Sequence, residues 1–237
     1  MLIEKVLRLL GKSYTPDARL PSALVLQVVA QRGWWLLRGL VRLRRRVFLG
    51  GGVKIRGGGR IAFGRYVTIE PGCRIDGYAE PAVAIGARSK IGSWSVVSST
   101  SHLSKYGKGL RIGANSGFGE YSFFGAAGGI EIGDDVIAGQ YVSFHSENHV
   151  FADPAAKIRD QGVTSVGIRV GNDVWIGAKA TFLDGSEVGD HSVVAAGAVV
   201  AGRFGPNSLI GGVPARLIRT IGADEATSQI GSEASPR

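Results

Sequence analysis

With 37 glycines but only eight prolines and no G-X-Y period, the 237-residue chain is neither collagen-like nor a disordered tract. It is long enough for one large domain, or for a domain with an extension. The lone cysteine, Cys73, cannot form an intrachain disulfide, so the fold needs no oxidising compartment and a cytoplasmic location is the default expectation. Net charge is +9. Residues 1–49 hold ten Lys/Arg against Glu4 and Asp17, giving +8, while residues 50–237 hold 18 against 17, giving +1.

The basic region, 1–49, reads as a helical extension. Glu4, Lys5, Arg8 and Lys12 interrupt the first apolar stretch, so no secretory signal is visible. The charge-free run from Leu20 to Gln31 contains Pro21 and is too short to span a bilayer. The stretch "WWLLRGLVRLRRRVFL" predicts an amphipathic helix, with Leu36, Leu40, Leu43 and Val47 on one face and Arg38, Arg42 and Arg45 on the other. Such a helix either lies on the inner face of a membrane, with Trp34 and Trp35 at the interface, or packs its apolar face on the main domain. No nucleic-acid-binding motif accompanies the charge, so nucleic acid is not expected as a partner.

From residue 50 to residue 221 the pattern changes. Apolar residues recur every six positions: Phe63, Ile69, Ile75; then Ile85, Ile91; then Ile112, Phe118, Phe124; then Ile132, Ala138, Phe144; and finally Val170, Ile176, Phe182, Val188, Val194 and Val200. A small residue sits four places after many of them, as at Val174, Ala180, Ser186, Ser192 and Ala198. Cys73 occupies the same slot after Ile69, which predicts a packing role. Neither a helix nor an ordinary strand has a period of six; a short strand plus a corner does. Three such units would close a triangular coil, and stacked coils would hydrogen-bond as parallel strands.

These repeats, with "NDVWIG", the closing "GGVPARLIR" and a loop containing "ENHVFADP", resemble the hexapeptide-repeat acyltransferases. The similarity is greatest to the galactoside/maltose acetyltransferase-like branch that includes bacterial polysaccharide O-acetyltransferases. The resemblance implies a left-handed parallel β-helix, which departs from the usual right-handed crossover. It also implies a homotrimer with active sites between subunits, and acetyl-CoA as donor to a sugar hydroxyl, with no metal required. The basic extension would suit a lipid-linked saccharide acceptor in surface polysaccharide synthesis.

The repeat lapses after Phe144 and resumes at Val170, which predicts an inserted loop over 145–169. His149 matches the family's loop histidine and is the expected general base, since imidazole suits proton removal at neutral pH. His145 and Glu147 are candidates to orient it, with His145 also able to contact the acceptor. The resemblance places the donor along Trp175, Ala178, Ala196, Ala201 and Gly202, with Arg216 and Arg219 near the phosphates. Where relatives often carry Thr-Lys, this chain has Ala201-Gly202 followed by Arg203, so Arg203 is a candidate replacement contact. The asparagine that relatives place near the acceptor is missing; Glu120 and Tyr121 stand in that region. His102 and His191 lack a motif and are expected to be structural or at the surface.

Two other readings share these coils. A γ-carbonic-anhydrase-like zinc enzyme would need three ligating histidines, drawn from His102, His145 and His149. A non-catalytic β-helix scaffold would bind no acetyl-CoA. Residues 222–237 are small, polar and aperiodic, which predicts a disordered tail.

Overall fold

Each apolar residue of the six-residue beat points into one prism. The computed structural model describes residues 17, 19–100, 102 and 106–222, so residues 1–16 and nearly all of the 222–237 tail lie outside the described residues. The chain winds through three parallel sheets in turn. Sheet A runs from Phe48–Leu49 to Ser208–Gly212, sheet B from Lys54–Arg56 to Val199–Val200, and sheet C from Ile61–Phe63 to Arg203–Phe204. Sheets B and C have seven strands each; sheet A has nine, because Ala215–Thr220 folds back antiparallel on Ser208–Gly212. The architecture is a left-handed parallel β-helix.

One residue from each sheet fills each layer of the interior. Val170, Ile176 and Phe182 do so for one coil, and Val188, Val194 and Val200 for the next; all six are buried. Phe124, Phe144 and Phe182 form a stack within sheet B, with centroids 5.2 and 4.7 Å apart. The small-residue column is also buried: Val174, Ala180, Ser186, Ser192, Ala198 and Cys73 are all at most 1% exposed. Several serines of this column pin the corners. The Ser89 hydroxyl donates to the Gly113 carbonyl at 2.7 Å, and that of Ser116 to Gly133 at 2.9 Å. Cys73 Sγ donates to the Gly92 carbonyl at 3.1 Å, and burial pushes the thiol up to about 11. Small size matters at the corners, since a methyl group on Gly92 would run into the Gly119 backbone of the next coil.

The extension differs from its expected form. The helix, α1, spans Ser22–Leu43, begins at Pro21 and stops where Arg44 turns left-handed; the Arg44 N–H donates to the Leu40 carbonyl and the Arg45 N–H to that of Gly39. It starts earlier and ends earlier than the "WWLLRGLVRLRRRVFL" stretch suggested. Val47 therefore does not share the helix face of Leu36, Leu40 and Leu43. Val47, Phe48 and Leu49 are instead buried in the first coil, where burying three large apolar side chains outweighs one more helical turn. The coil thus begins before residue 50. Gly39 allows α1 to approach closely, since a Cβ there would strike the Val47 carbonyl. The Arg32 guanidinium lies 4.0 Å from the Phe48 ring centroid.

Candidate active site

Every break in the hexad register falls at one edge. Each register begins with a residue in sheet C, at Phe63, Ile85, Ile112, Ile132 or Val170, and the interruption before it lies after a sheet B strand. Insertions at the other two edges would push stacked coils apart, whereas one edge can shed loops while A and B keep their ladders. The largest excursion is 146–167, shorter at both ends than the predicted 145–169. His145 completes the strand Ser143–His145 in sheet B, and Ile168–Val170 already belongs to sheet C.

This loop is built to project. Asn148–His149 pairs antiparallel with Val163–Thr164, with His149 opposite Val163. Both strands of this ribbon are exposed. Its tip is folded around Gln161, whose amide donates to the Asp153 and Ala156 carbonyls and whose oxygen accepts from the Asp153 N–H, all at 2.9–3.0 Å. Its root is held by Asp184 of the next coil, which accepts from the Thr164 hydroxyl at 2.9 Å and from the backbone N–H groups of Val166 and Gly167 at 3.1 and 2.7 Å. Lys108 Nζ donates to the Ser165 carbonyl at 2.6 Å. Glu147 accepts from the Ser165 hydroxyl at 3.0 Å, so it braces the two loop arms together. Neither Asp184 nor Lys108 was expected, because each is distant in sequence from the loop residues it holds.

The residues that the resemblance placed along the donor fall into two groups. Trp175 is an outward, 60% exposed position on sheet A. Ala178 and Ala196 follow it at the edge between sheets A and B, on consecutive coils; Gly139 and Gly177 lie beneath them, where a side chain would collide. Arg216 and Arg219 join this group. A spacing of three would put them on opposite faces of a regular strand, but a register shift there sets Arg216 opposite Gly211 and Arg219 opposite Leu209. Opposite residues share a face, so both arginines reach the outer side of sheet A.

Ala201 and Gly202 lie instead at the edge between sheets B and C, the edge that carries the His149 ribbon. Arg203 follows on the outer face of sheet C, with its Nε 3.8 Å from Glu187. It belongs to an alternating row, Arg111, Glu131, Arg169, Glu187 and Arg203, that lines a groove of about 830 Å³ beside Val166 and Gly167 at the loop root. The groove does not include His149. Its sequence signal was present, in the charged residue preceding each inward apolar residue of "LRI", "IEI", "IRV", "SEV" and "GRF".

The acceptor candidates are likewise divided. His145 is exposed on the outer face of sheet B near the loop root, its ring 5.4 Å from that of Phe123. Glu120 and Tyr121 stand at the A–B edge, where Tyr121 stacks on Tyr141 at 5.1 Å. A prism side is six residues long, roughly 15–20 Å. Trp175, Ala178 and Tyr121 are therefore too far from the His149 edge to surround one substrate atom within a single chain.

Of the remaining histidines, His191 Nδ1 pairs with Asp173 at 2.7 Å on the surface, and His102 is exposed. Among the described residues no three His, Cys, Asp or Glu side chains gather at metal-binding separation. Within the single chain, His102, His145 and His149 do not gather into a three-histidine set.

Residues 167–202 match the family described as bacterial transferase hexapeptide (six repeats). The galactoside O-acetyltransferase of Escherichia coli is 36% identical over 93 residues, covering 39% of this chain and 44% of that protein. WbbJ of the same bacterium, which carries the name of a lipopolysaccharide biosynthesis O-acetyl transferase, is 28% identical over 125 residues, covering 49% and 64%. The chain thus spans less than two thirds of the length of these relatives. Among solved structures, a mutant of AntD, an N-acyltransferase from Bacillus cereus in complex with dTDP and coenzyme A, superposes with a TM-score of 0.56 at 19% identity, covering 77% of this chain and 91% of that one. Repeat, coil geometry and relatives agree: the chain carries the bacterial transferase hexapeptide repeat over residues 167–202 and is similar to the hexapeptide-repeat transferases.

Proposed function

We propose that the protein is an acetyl-CoA-dependent O-acetyltransferase acting on a sugar hydroxyl, in surface polysaccharide synthesis. The observation that carries this reading is His149 on a stiff two-stranded ribbon at the one edge where the coils shed loops. Catalytic groups concentrate on loops held by a rigid scaffold.

His149 takes the hydroxyl proton as the sugar oxygen attacks the thioester carbonyl, and returns it to the thiol sulfur as the C–S bond breaks. Backbone N–H groups at the coil corners are suited to the developing oxyanion. Arg216 and Arg219 bind the donor phosphates from the outer side of sheet A, and Trp175 covers the reacting end. The division of these residues between two edges of the prism supports a homotrimer, in which the His149 edge of one copy meets sheet A and the A–B edge of its neighbour.

The test is release of thiol from acetyl-CoA in the presence of a panel of sugar nucleotides and lipid-linked saccharides. Wild-type protein should release thiol with at least one acceptor, and His149→Ala should lose that release. Equal rates from both proteins would remove His149 from the chemistry; no release and no acetyl-CoA binding would leave the scaffold reading in its place.

A further inference from the structure

Helix α1 has two apolar faces, and only one is used by the fold. Leu36, Gly39 and Leu43 turn toward the first coil, where Gly39 is buried and Leu43 packs on the core. At about 100° per residue, Leu26, Ala30, Trp34, Leu37 and Val41 form a second stripe on the far side. All five are exposed, Val41 at 73% and Leu26 at 64%. Arg38 and Arg42 follow next around the helix. Beyond its end, Arg45, Arg46 and Arg65 line a recess of about 290 Å³ with Phe63 and Gly64.

The charge around this stripe is of one sign. Residues 18–69 contain Arg19, Arg32, Arg38, Arg42, Arg44, Arg45, Arg46, Lys54, Arg56, Arg60 and Arg65, and neither Asp nor Glu. Two copies meeting through this surface would set arginine against arginine. Nucleic acid would satisfy the charge but not the leucines and valine. An apolar stripe flanked by arginines fits the boundary between headgroups and acyl chains. Among the described residues no helix is long and apolar enough to cross a membrane, so α1 would lie along the surface.

We infer that this end of the molecule docks on an anionic phospholipid surface. Leu26, Trp34, Leu37 and Val41 enter the interface, and the Arg45, Arg46 and Arg65 recess takes lipid phosphate. The sequence pattern put Leu36, Leu40, Leu43 and Val47 on one face, either for a membrane or for packing on the main domain. The fold assigns Leu36, Leu43 and Val47 to the protein interior side, which leaves the opposite stripe for lipid.

Co-sedimentation of the full chain with vesicles tests this, using phosphatidylglycerol mixed into phosphatidylcholine against phosphatidylcholine alone. Wild type should partition onto the anionic vesicles and release with added salt. Leu37→Asp with Val41→Asp should weaken partition by about tenfold or more. Arg45→Glu, Arg46→Glu and Arg65→Glu together should weaken it by about a hundredfold. All these positions are exposed, so melting temperature should not change. Should a variant fold poorly, brominated phosphatidylglycerol should quench wild-type tryptophan emission, and Trp34→Phe should lose that quenching. Equal binding to neutral vesicles, or wild-type binding by both variants, would overturn the inference. So would tighter binding to duplex DNA than to vesicles. A change of sedimenting mass in Leu37→Asp/Val41→Asp with unchanged vesicle binding would assign the stripe to a second copy.

Discussion

Trp175 and Arg219 stand in one row across the outer face of sheet A: Trp175 pairs with Val193, Val193 with Leu209, and Leu209 with Arg219. Three strand spacings separate them, about 14 Å along the prism. On the proposed function, the two ends of an extended donor would find contacts on one face, apolar at Trp175 and cationic at Arg216 and Arg219. Arg219→Ala or Arg216→Ala should raise KM for acetyl-CoA by roughly tenfold while kcat changes little, because a charge-assisted hydrogen bond contributes about 1.5–3 kcal/mol. Steady-state kinetics with acetyl-CoA and its 3′-dephospho analogue checks this. An unchanged KM in both variants would place the nucleotide end elsewhere.

His149 is exposed and its ring is not part of the core, so its removal should leave the fold intact. His149→Ala should lower kcat by about 10²–10⁴-fold, the usual worth of a positioned base. Circular dichroism and thiol-release rates measured on the same preparation separate loss of chemistry from loss of fold.

Asp184 acts through the loop, as a positioning residue. Its carboxylate gathers three donors from Thr164, Val166 and Gly167. Asp184→Ala should lower kcat by about tenfold with little change in acceptor KM, and Asp184→Asn should restore part of the rate, since an amide oxygen still accepts. Proteolysis within 150–162 should quicken in the alanine variant, as the ribbon loses its root.

Cys73 should resist alkylation in the native state, being fully buried with its thiol pushed up to about 11 from an ordinary 9.0. The unfolded thiol ionises first as pH rises, so above about 9 the unfolded chain binds fewer protons than the folded one. Stability from this group is complete below pH 9 and falls between about 9 and 11. Cys73→Ala should flatten that part of the stability–pH curve, read by denaturant titration.

Phe144 lies between Phe124 and Phe182 in a fully buried stack. Phe144→Ala should cost about 3–5 kcal/mol, seen as a clear fall in melting temperature. Because His145 and the loop root follow directly, thiol release should fall as well.

The sequence by itself determined the prism. A six-residue beat of large apolar residues, with a small residue four places on, has one economical solution in which both kinds point inward, and Val170 through Val200 follow it without a gap. The lapse in that beat also marked the inserted loop, and the resemblance to the hexapeptide-repeat acyltransferases singled out His149 within it. Only the tertiary structure decided what surrounds the beat, because those relations join residues far apart in the chain. Asp184 and Lys108 hold the ribbon across coil boundaries, and a strand irregularity turns Arg216 and Arg219 to the same face. Val47 left the helix for the core because burial of Val47, Phe48 and Leu49 closes the first coil. The residues expected to form one site lie on different edges of the prism, since the face of a triangular coil, roughly 15–20 Å wide, separates positions that hexad spacing alone leaves unplaced.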